Sequence, residues 1–160
     1  MGRQHLHRAV IDDATAADGA AVVALWHACA LTRPWNDPDA DFARALGGAT
    51  STILVARHAD APVGSVMVGQ DGHRGWIYYL AVLPELQGQG IGTALFGAAE
   101  HWLRARSVPK LQLMVRHGND AAMGFYRRLG LAQQGVAVLG RTLEPWDQQP
   151  IVTDSHLQKR

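Results

Sequence analysis

From Tyr79 to Thr93 the chain reads Tyr-Leu-Ala-Val-Leu-Pro-Glu-Leu-Gln-Gly-Gln-Gly-Ile-Gly-Thr, and no other run limits the fold as strongly. An apolar strand, Trp76 to Val82, ends at Pro84. Three glycines, Gly88, Gly90 and Gly92, then open a helix. Ile91, Leu95, Ala98, Trp102 and Leu103 recur at helical spacing and carry it to about Arg106. Glycine has no Cβ, so backbone here can approach a ligand closely. The first turn of a helix has unpaired N–H groups and the positive end of the dipole. Strand, glycine turn and helix start together make an anion site suited to a pyrophosphate.

The flanking sequence supplies the rest of the pattern. Arg8 to Ile11 reads as a short strand. Val22, Leu25, Trp26 and Cys29 predict a helix over about 16–31. Leu31 to Pro38 contains two prolines and an Asn-Asp pair, so it is a shaped loop. A short helix over 39–46 follows, with Phe42 and Leu46 inward. The period then falls to two. Ile53–Ala56, Val63–Val68 and Trp76–Val82 are strands joined by turns at 59–62 and 71–75. Strand alternation predicts that Tyr78 and Tyr79 point to opposite faces. Beyond the glycine-turn helix come a strand at Leu111–Val115, a helix capped by Asn119 and stopped by Gly130, and a last core strand at Val136–Leu139. The result is a mixed α/β (α+β) chain: a central, mostly antiparallel sheet with one parallel crossover, flanked by helices. Residues 1–7 read as an N-terminal extension, 8–146 as the domain and 147–160 as a C-terminal tail.

Composition narrows the function. The 160 residues, 48% of them apolar, fit one domain with a sizeable core. Fifteen basic and 14 acidic residues leave a net charge of +1, which gives no electrostatic reason to bind nucleic acid or an anionic membrane. No apolar run approaches a membrane span. A single cysteine, Cys29, cannot form an internal disulfide, and a cytoplasmic setting is expected. The eight histidines are scattered and match no metal-ligand spacing, so no metal is expected.

Three phosphate motifs compete for the glycine turn. A P-loop needs Lys and then Ser or Thr after its last glycine, where Thr93 and Ala94 stand. A dinucleotide fingerprint needs Gly-x-Gly-x-x-Gly and an acid about twenty residues on; the spacing here is Gly-x-Gly-x-Gly, and Lys110 stands near that place. The third is the Gln/Arg-x-x-Gly-x-Gly/Ala turn of the GNAT family of N-acetyltransferases, which Gln87, Gly90 and Gly92 match. Asn119, Ala122, Tyr126, Gly130 and Leu131 match that family's second signature on the following helix. The chain therefore resembles the GNAT family over roughly residues 8–143. Its Arg-Pro-Trp-Asn-Asp-Pro and Asp-Gly-His-Arg-Gly segments are similar to those of a bacterial subgroup of the YpeA type.

The resemblance implies a GNAT fold with a splayed parallel strand pair. It also implies an enzyme that transfers acetyl from acetyl-CoA directly to an amine acceptor through a ternary complex. Gln87, Gly88, Gln89, Gly90, Ile91, Gly92 and Thr93 would hold the pyrophosphate. The backbone of Ala81 and Val82, with Asn119, would hold pantetheine, and an N–H there would polarise the thioester carbonyl. Tyr126 would be the general acid for the departing thiolate. Trp35 and His73 are placed on the acceptor side. The partners are then an acyl-CoA and an amine, on a small molecule or a protein; homodimers are common in the family. A non-catalytic acyl-CoA-binding module is the alternative, because many relatives carry a glutamate near the place of Trp76 and no carboxylate lies between Trp76 and Pro84. A lysine-like amine costs about 4.6 kcal/mol to deprotonate at pH 7, whereas a thiol leaving group gains only about 2 kcal/mol from an acid. The base matters more than the acid, and Glu85, Asp71, His73, a backbone-held water or prior deprotonation are the options.

Overall fold

Five strands pair in the order in which the chain makes them. The computed structural model describes residues 9–143, so the expected extension and tail lie outside the described residues. Strands β1 (Val10–Asp13), β2 (Ser51–His58), β3 (Ala61–Gln70) and β4 (Gly75–Val82) are successively antiparallel; β5 (Leu111–Leu113) joins β4 in parallel. The parallel pairing ends at Ile77↔Leu113, so Tyr78 to Val82 has no β5 partner.

Period-two alternation loads both faces of this sheet. Ile53 and Val55 turn to one face with Val22, Leu25 and Trp26 of α1 (Gly19–Ala28) and Phe42 of α2 (Pro38–Gly47). Leu54 and Ala56 turn to the other with Leu95, Phe96, Ala99 and Leu103 of α3 (Ile91–Arg104). The last helix, α4 (Asp120–Arg128), packs on the α3 side, where Tyr126 and Leu129 border the cluster. Gly64 sets how close α3 comes. A Cβ built there would lie 2.9 Å from Leu95 Cδ1 and 3.2 Å from Ile91 Cγ2. That close approach brings the N-terminus of α3 against the end of β4.

Three expectations change. The first helix stops at Ala28, short of 31, because Ala30 adopts a left-handed φ of 55° and the chain turns into the loop. Tyr78 and Tyr79 do not alternate across the sheet. Ser65 pairs with Ala81 and Met67 with Tyr78, so Tyr79 and Leu80 together oppose Val66 in a β-bulge. Both tyrosines therefore lie on the α1–α2 face: Tyr79 stacks on Trp26, and Tyr78 pairs with Met67, which packs on that face. Finally, Val136–Leu139 is not a core strand. The segment has no partner strand among the described residues, and Val136, Val138 and Leu139 are exposed. An alternating apolar pattern makes a strand only where a neighbour accepts its hydrogen bonds, and here none does.

One ion pair ties the first strands to the helical layer. Arg57 on β2 donates from Nη1 and Nη2 to the two Asp18 oxygens at 2.7 and 2.8 Å, and from Nε to Asp12 at 2.8 Å. Asp18 is 8% exposed and also accepts from Thr15 N–H at 2.8 Å. The hydrogen-bonded Arg57 guanidinium, helped by Thr15, holds the Asp18 carboxyl down at about 2 against burial, which pushes it up. Asp18→Asn should destabilise the protein by about 2–3 kcal/mol, below the full cost of a deeply buried pair because Asp12 still engages Arg57. Because the folded carboxyl is depressed, its stabilisation is present above the ordinary value of 3.8 and is lost as pH falls from there toward about 2. Thermal melts from pH 7 to pH 2 should show that loss in the wild type, and a smaller one in Asp18→Asn.

Candidate active site

The glycine turn leaves open space in front of unpaired main-chain donors. Gly88 and Gly90 stand at φ 77° and 87°, where a side chain would be strained. A Cβ built on either would meet nothing within 4 Å, so the space in front of them is open. The backbone bond nearest the N-terminus of α3 runs from Ala94 N–H to Gly90 O at 3.0 Å, which leaves the N–H groups of Ile91, Gly92 and Thr93 without helical acceptors. No side chain caps them. Gln87 closes the turn from below: its Nε2 donates to Val82 O at 3.0 Å.

The freed end of β4 leads into this cradle. Leu83 N–H donates to Val63 O at 2.9 Å, so Leu83 and, two residues earlier, Ala81 turn their main-chain groups to β3. Leu80 and Val82 therefore face the side that β5 has left. The Val82 carbonyl already accepts from Gln87 and from Cys29 Sγ at 3.1 Å, while no such partner engages its N–H. Ala81 itself is buried, with its side chain in the α1–α2 cluster. Burial pushes the Cys29 thiol up, and the nearby Glu85 adds to this against the Val82 bond, so the sulfur stays protonated near neutral pH.

Helix α4 forms the opposite wall. Asn119 is its N-cap: Oδ1 accepts from Ala122 N–H at 3.1 Å, a role that leaves the amide nitrogen for a ligand. Phe125 comes close to the glycine turn, since a Cβ on Gly92 would lie 3.4 Å from its ring and 3.7 Å from Val82 Cγ2. Tyr126 rests against Phe96 and Phe125 with ring centroids 6.1 and 5.1 Å away. Burial pushes its phenol up, which keeps the proton on the oxygen.

The two residues expected on the acceptor side sit on different elements, Trp35 in the loop between α1 and α2 and His73 in the β3–β4 turn. Trp35 is 45% exposed, and the Arg116 guanidinium lies 5.5 Å over its ring. Arg116 follows β5 by three residues, which sets Trp35 level with the parted strands. Tyr78 and Met114, which follow the last paired residues of β4 and β5, are exposed too. His73 instead occupies the β3–β4 turn at the far end of β4, roughly 23 Å of strand from Val82. Asp71 holds that turn: Oδ1 accepts from His73 N–H and Arg74 N–H at 2.8 and 2.7 Å, and Oδ2 from Trp76 Nε1 at 3.2 Å. These bonds pull its carboxyl down to about 2. Asp71 is a turn lock and a poor proton acceptor. Sequence reading missed Asp41 as well. It sits on α2, and its Oδ2 accepts from Tyr79 OH at 2.8 Å. Only the bulge brings those two groups together, and no spacing rule announces it.

Comparison with known proteins agrees with this geometry. The model of the Acetyltransferase (GNAT) family matches residues 6–131. Acetyltransferase YE1169 of Yersinia enterocolitica is 48% identical over 122 residues, covering 76% of this chain and 86% of the relative. Acetyltransferase ECA0875 of Pectobacterium atrosepticum is 47% identical over 126 residues, covering 79% and 89%. Among solved structures, AAC(6')-Iy in complex with the bisubstrate analog CoA-S-monomethyl-acetylneamine superposes with a TM-score of 0.73 over 85% of this chain and 99% of that one, at 14% identity, a likeness of fold. With the cradle, the parted strands and both signatures in place, the chain belongs to the acetyltransferase (GNAT) family and is an acetyl-CoA-dependent N-acetyltransferase.

Proposed function

We propose that acetyl passes directly from the thioester to an amine that enters beside Trp35. The observation that carries this reading is the open glycine turn at 88–93, which lies at the end of the β4 edge that β5 leaves; we place Tyr126, which packs on the Phe125 that borders Gly92, beside it. The N–H groups of the turn hold the pyrophosphate, each charge-assisted bond being about twice as strong as a neutral one. Val82 N–H and the Asn119 amide bind the pantetheine arm, and Leu80 N–H polarises the acyl carbonyl as its charge develops. The acyl thioester supplies an activated carbonyl and a leaving thiolate. Tyr126, held protonated by burial, gives the thiolate its proton. Cys29, held protonated too, makes no acyl intermediate, which favours the ternary complex.

The acceptor side is aromatic and apolar, with Trp35, Tyr78 and Met114 exposed and Arg116 over Trp35. We assign the acceptor to the region of Trp35 and Tyr78; His73 sits in the turn before Gly75, which is roughly 10 Å of strand from Tyr78. With Asp71 committed to its turn and Glu85 beside Cys29 past the end of β4, we assign the amine's proton to water at the opening, or to loss before binding. The rate should then rise with pH up to the acceptor's own pKa, with no enzyme group imposing an earlier limit.

The decisive experiment incubates acetyl-CoA with a panel of peptides, amino acids, polyamines and aminoglycosides and follows free thiol. Turnover with any amine supports transfer, and binding without turnover on the whole panel favours an acyl-CoA-binding module. Gly90→Ala introduces only backbone strain, roughly 1–2 kcal/mol. Gly90→Glu adds a carboxylate to the open space. Calorimetry should show coenzyme A affinity at least about tenfold weaker in Gly90→Glu than in Gly90→Ala, at similar melting temperature. Equal affinities would move the pyrophosphate elsewhere.

Tyr126→Phe removes a hydroxyl and leaves the ring packing intact. Its kcat should fall about ten- to thirtyfold, within the 2 kcal/mol that an acid can supply to a thiolate. The deficit should shrink as pH falls toward 6. Full kcat from pH 6 to 9, with chemistry rate-limiting, would make Tyr126 a packing residue.

A further inference from the structure

We propose that the hydrogen bond between Tyr79 and Asp41 is a clasp that fixes the β4 bulge, and through it aims Leu80 N–H at the acyl carbonyl. The proposal rests on the acetyl-transfer reading above and names two positioning residues for it.

The bulge needs something to hold it. Tyr79 stands at φ 50°, in the left-handed region, where an aromatic residue is strained. Such a conformation persists only where the surroundings over-determine it. Two contacts do so. The Tyr79 ring stacks on Trp26, with centroids 3.9 Å apart and planes within 9°. Trp26 has no exposed surface and is itself fixed by its Nε1 donating to Ser65 Oγ at 3.0 Å. The Tyr79 hydroxyl then donates to Asp41 Oδ2 at 2.8 Å, while Asp41 Oδ1 accepts from Arg44 at 3.1 Å. Burial and the Asp41 carboxylate push the phenol far up, so it remains a donor at any working pH. Stacking fixes the plane of the ring; the hydroxyl bond fixes how far it reaches along that plane, and thus the peptide that carries it.

The bulge matters because it resets alternation. Without the extra residue the strand would run one position out of step beyond Tyr78. Leu80 and Val82 would then turn their main-chain groups to β3, and Ala81 would face the opening. With it, Leu80 and Val82 face the gap, next to the Gln87-to-Thr93 cradle. Neither Asp41 nor Tyr79 reaches the thioester in this scheme; they act through the peptide beside them. Asp41 also places α2, which follows the Trp35 loop, so one bond sets the acceptor wall against the strand that polarises the acyl group.

The test does not need the natural acceptor. Acetyl-CoA with an isotope-labelled carbonyl is bound to the wild type, Tyr79→Phe, Asp41→Ala and Asp41→Asn, and the carbonyl stretch is read by difference infrared spectroscopy. Calorimetry gives the affinity for acetyl-CoA, and thermal melts report the fold. In the wild type the stretch should lie below that of free acetyl-CoA. In Tyr79→Phe, which keeps the stacking, and in Asp41→Ala it should return at least half-way to the free value. Affinity should stay within about threefold, because the cradle carries the binding. Asp41→Asn still offers an oxygen to the hydroxyl and should keep the wild-type stretch, a rescue that a purely electrostatic role would not give. An unchanged stretch in Tyr79→Phe and Asp41→Ala overturns the clasp. So does a loss of affinity in step with the shift, or an Asn variant that behaves as Ala does. A wild type that binds acetyl-CoA with an unshifted carbonyl overturns the aiming of Leu80 while leaving acetyl-CoA binding intact. A wild type that binds no acetyl-CoA overturns the acetyl-transfer reading itself.

Discussion

The site depends on one strand keeping its ladder on one side and losing it on the other. β4 pairs with β3 as far as Val82, yet β5 leaves it after Ile77. An unpaired main-chain edge inside a fold is costly unless something satisfies it. Here part of the edge is satisfied from within: Gln87 and Cys29 both donate to the Val82 carbonyl. What remains open is the Leu80 carbonyl and a set of donors, on the strand and at the start of α3, and donors are what a pyrophosphate and a polarised acyl oxygen require. The two helical layers prevent collapse of the gap. α1 and α2 hold β4 from one face and α3 from the other, with Ala81 and Val82 in opposite clusters.

This division of labour explains which parts could be read from the residues. The glycine turn was legible because its chemistry is local. Left-handed φ at Gly88 and Gly90, and bare N–H groups at a helix start, follow from the residue types and their order. The strands of the β2–β3–β4 meander were legible because burial on both faces leaves continuous apolar runs such as Ile53–Ala56. Asn119 was legible as a cap because an amide oxygen facing the N–H three residues on is a short-range matter. Trp35 drew notice only as an aromatic in a proline-bounded loop, and its partner Arg116 lies far along the chain.

The misses share a cause as well. The bulge at Tyr79–Leu80 shows in the pairing of β4 with β3, not in β4 alone, so alternation assigned the tyrosines to opposite faces. Val136–Leu139 carries the alternating apolar pattern of a strand, but strand formation is a property of two segments, and no second one is there among the described residues. Asp41 reads as an acidic residue in the first turn of a helix, where the dipole alone would justify it. Its bond to Tyr79 spans 38 positions. Asp71 was weighed as a base on its residue type, and the turn it holds decides otherwise.

In the proposed reading, these contacts shift the catalytic load from side chains toward main chain. The strand that carries a glutamate in many relatives carries here Trp76 and Tyr78, and two carboxylates around it are engaged: Asp71 by three donors, Asp41 by Tyr79 and Arg44. An engaged carboxylate gives up proton affinity and gains rigidity. A rigid scaffold suits a reaction in which the amine arrives deprotonated and the enzyme contributes orientation and a fixed dipole at the carbonyl, effects that cost no reorganisation as the transition state forms. The strained Tyr79 fits the same scheme: under the proposal above, its stack on Trp26 and its bond to Asp41 offset the conformational cost at one residue and keep Leu80 and Val82 turned to the gap.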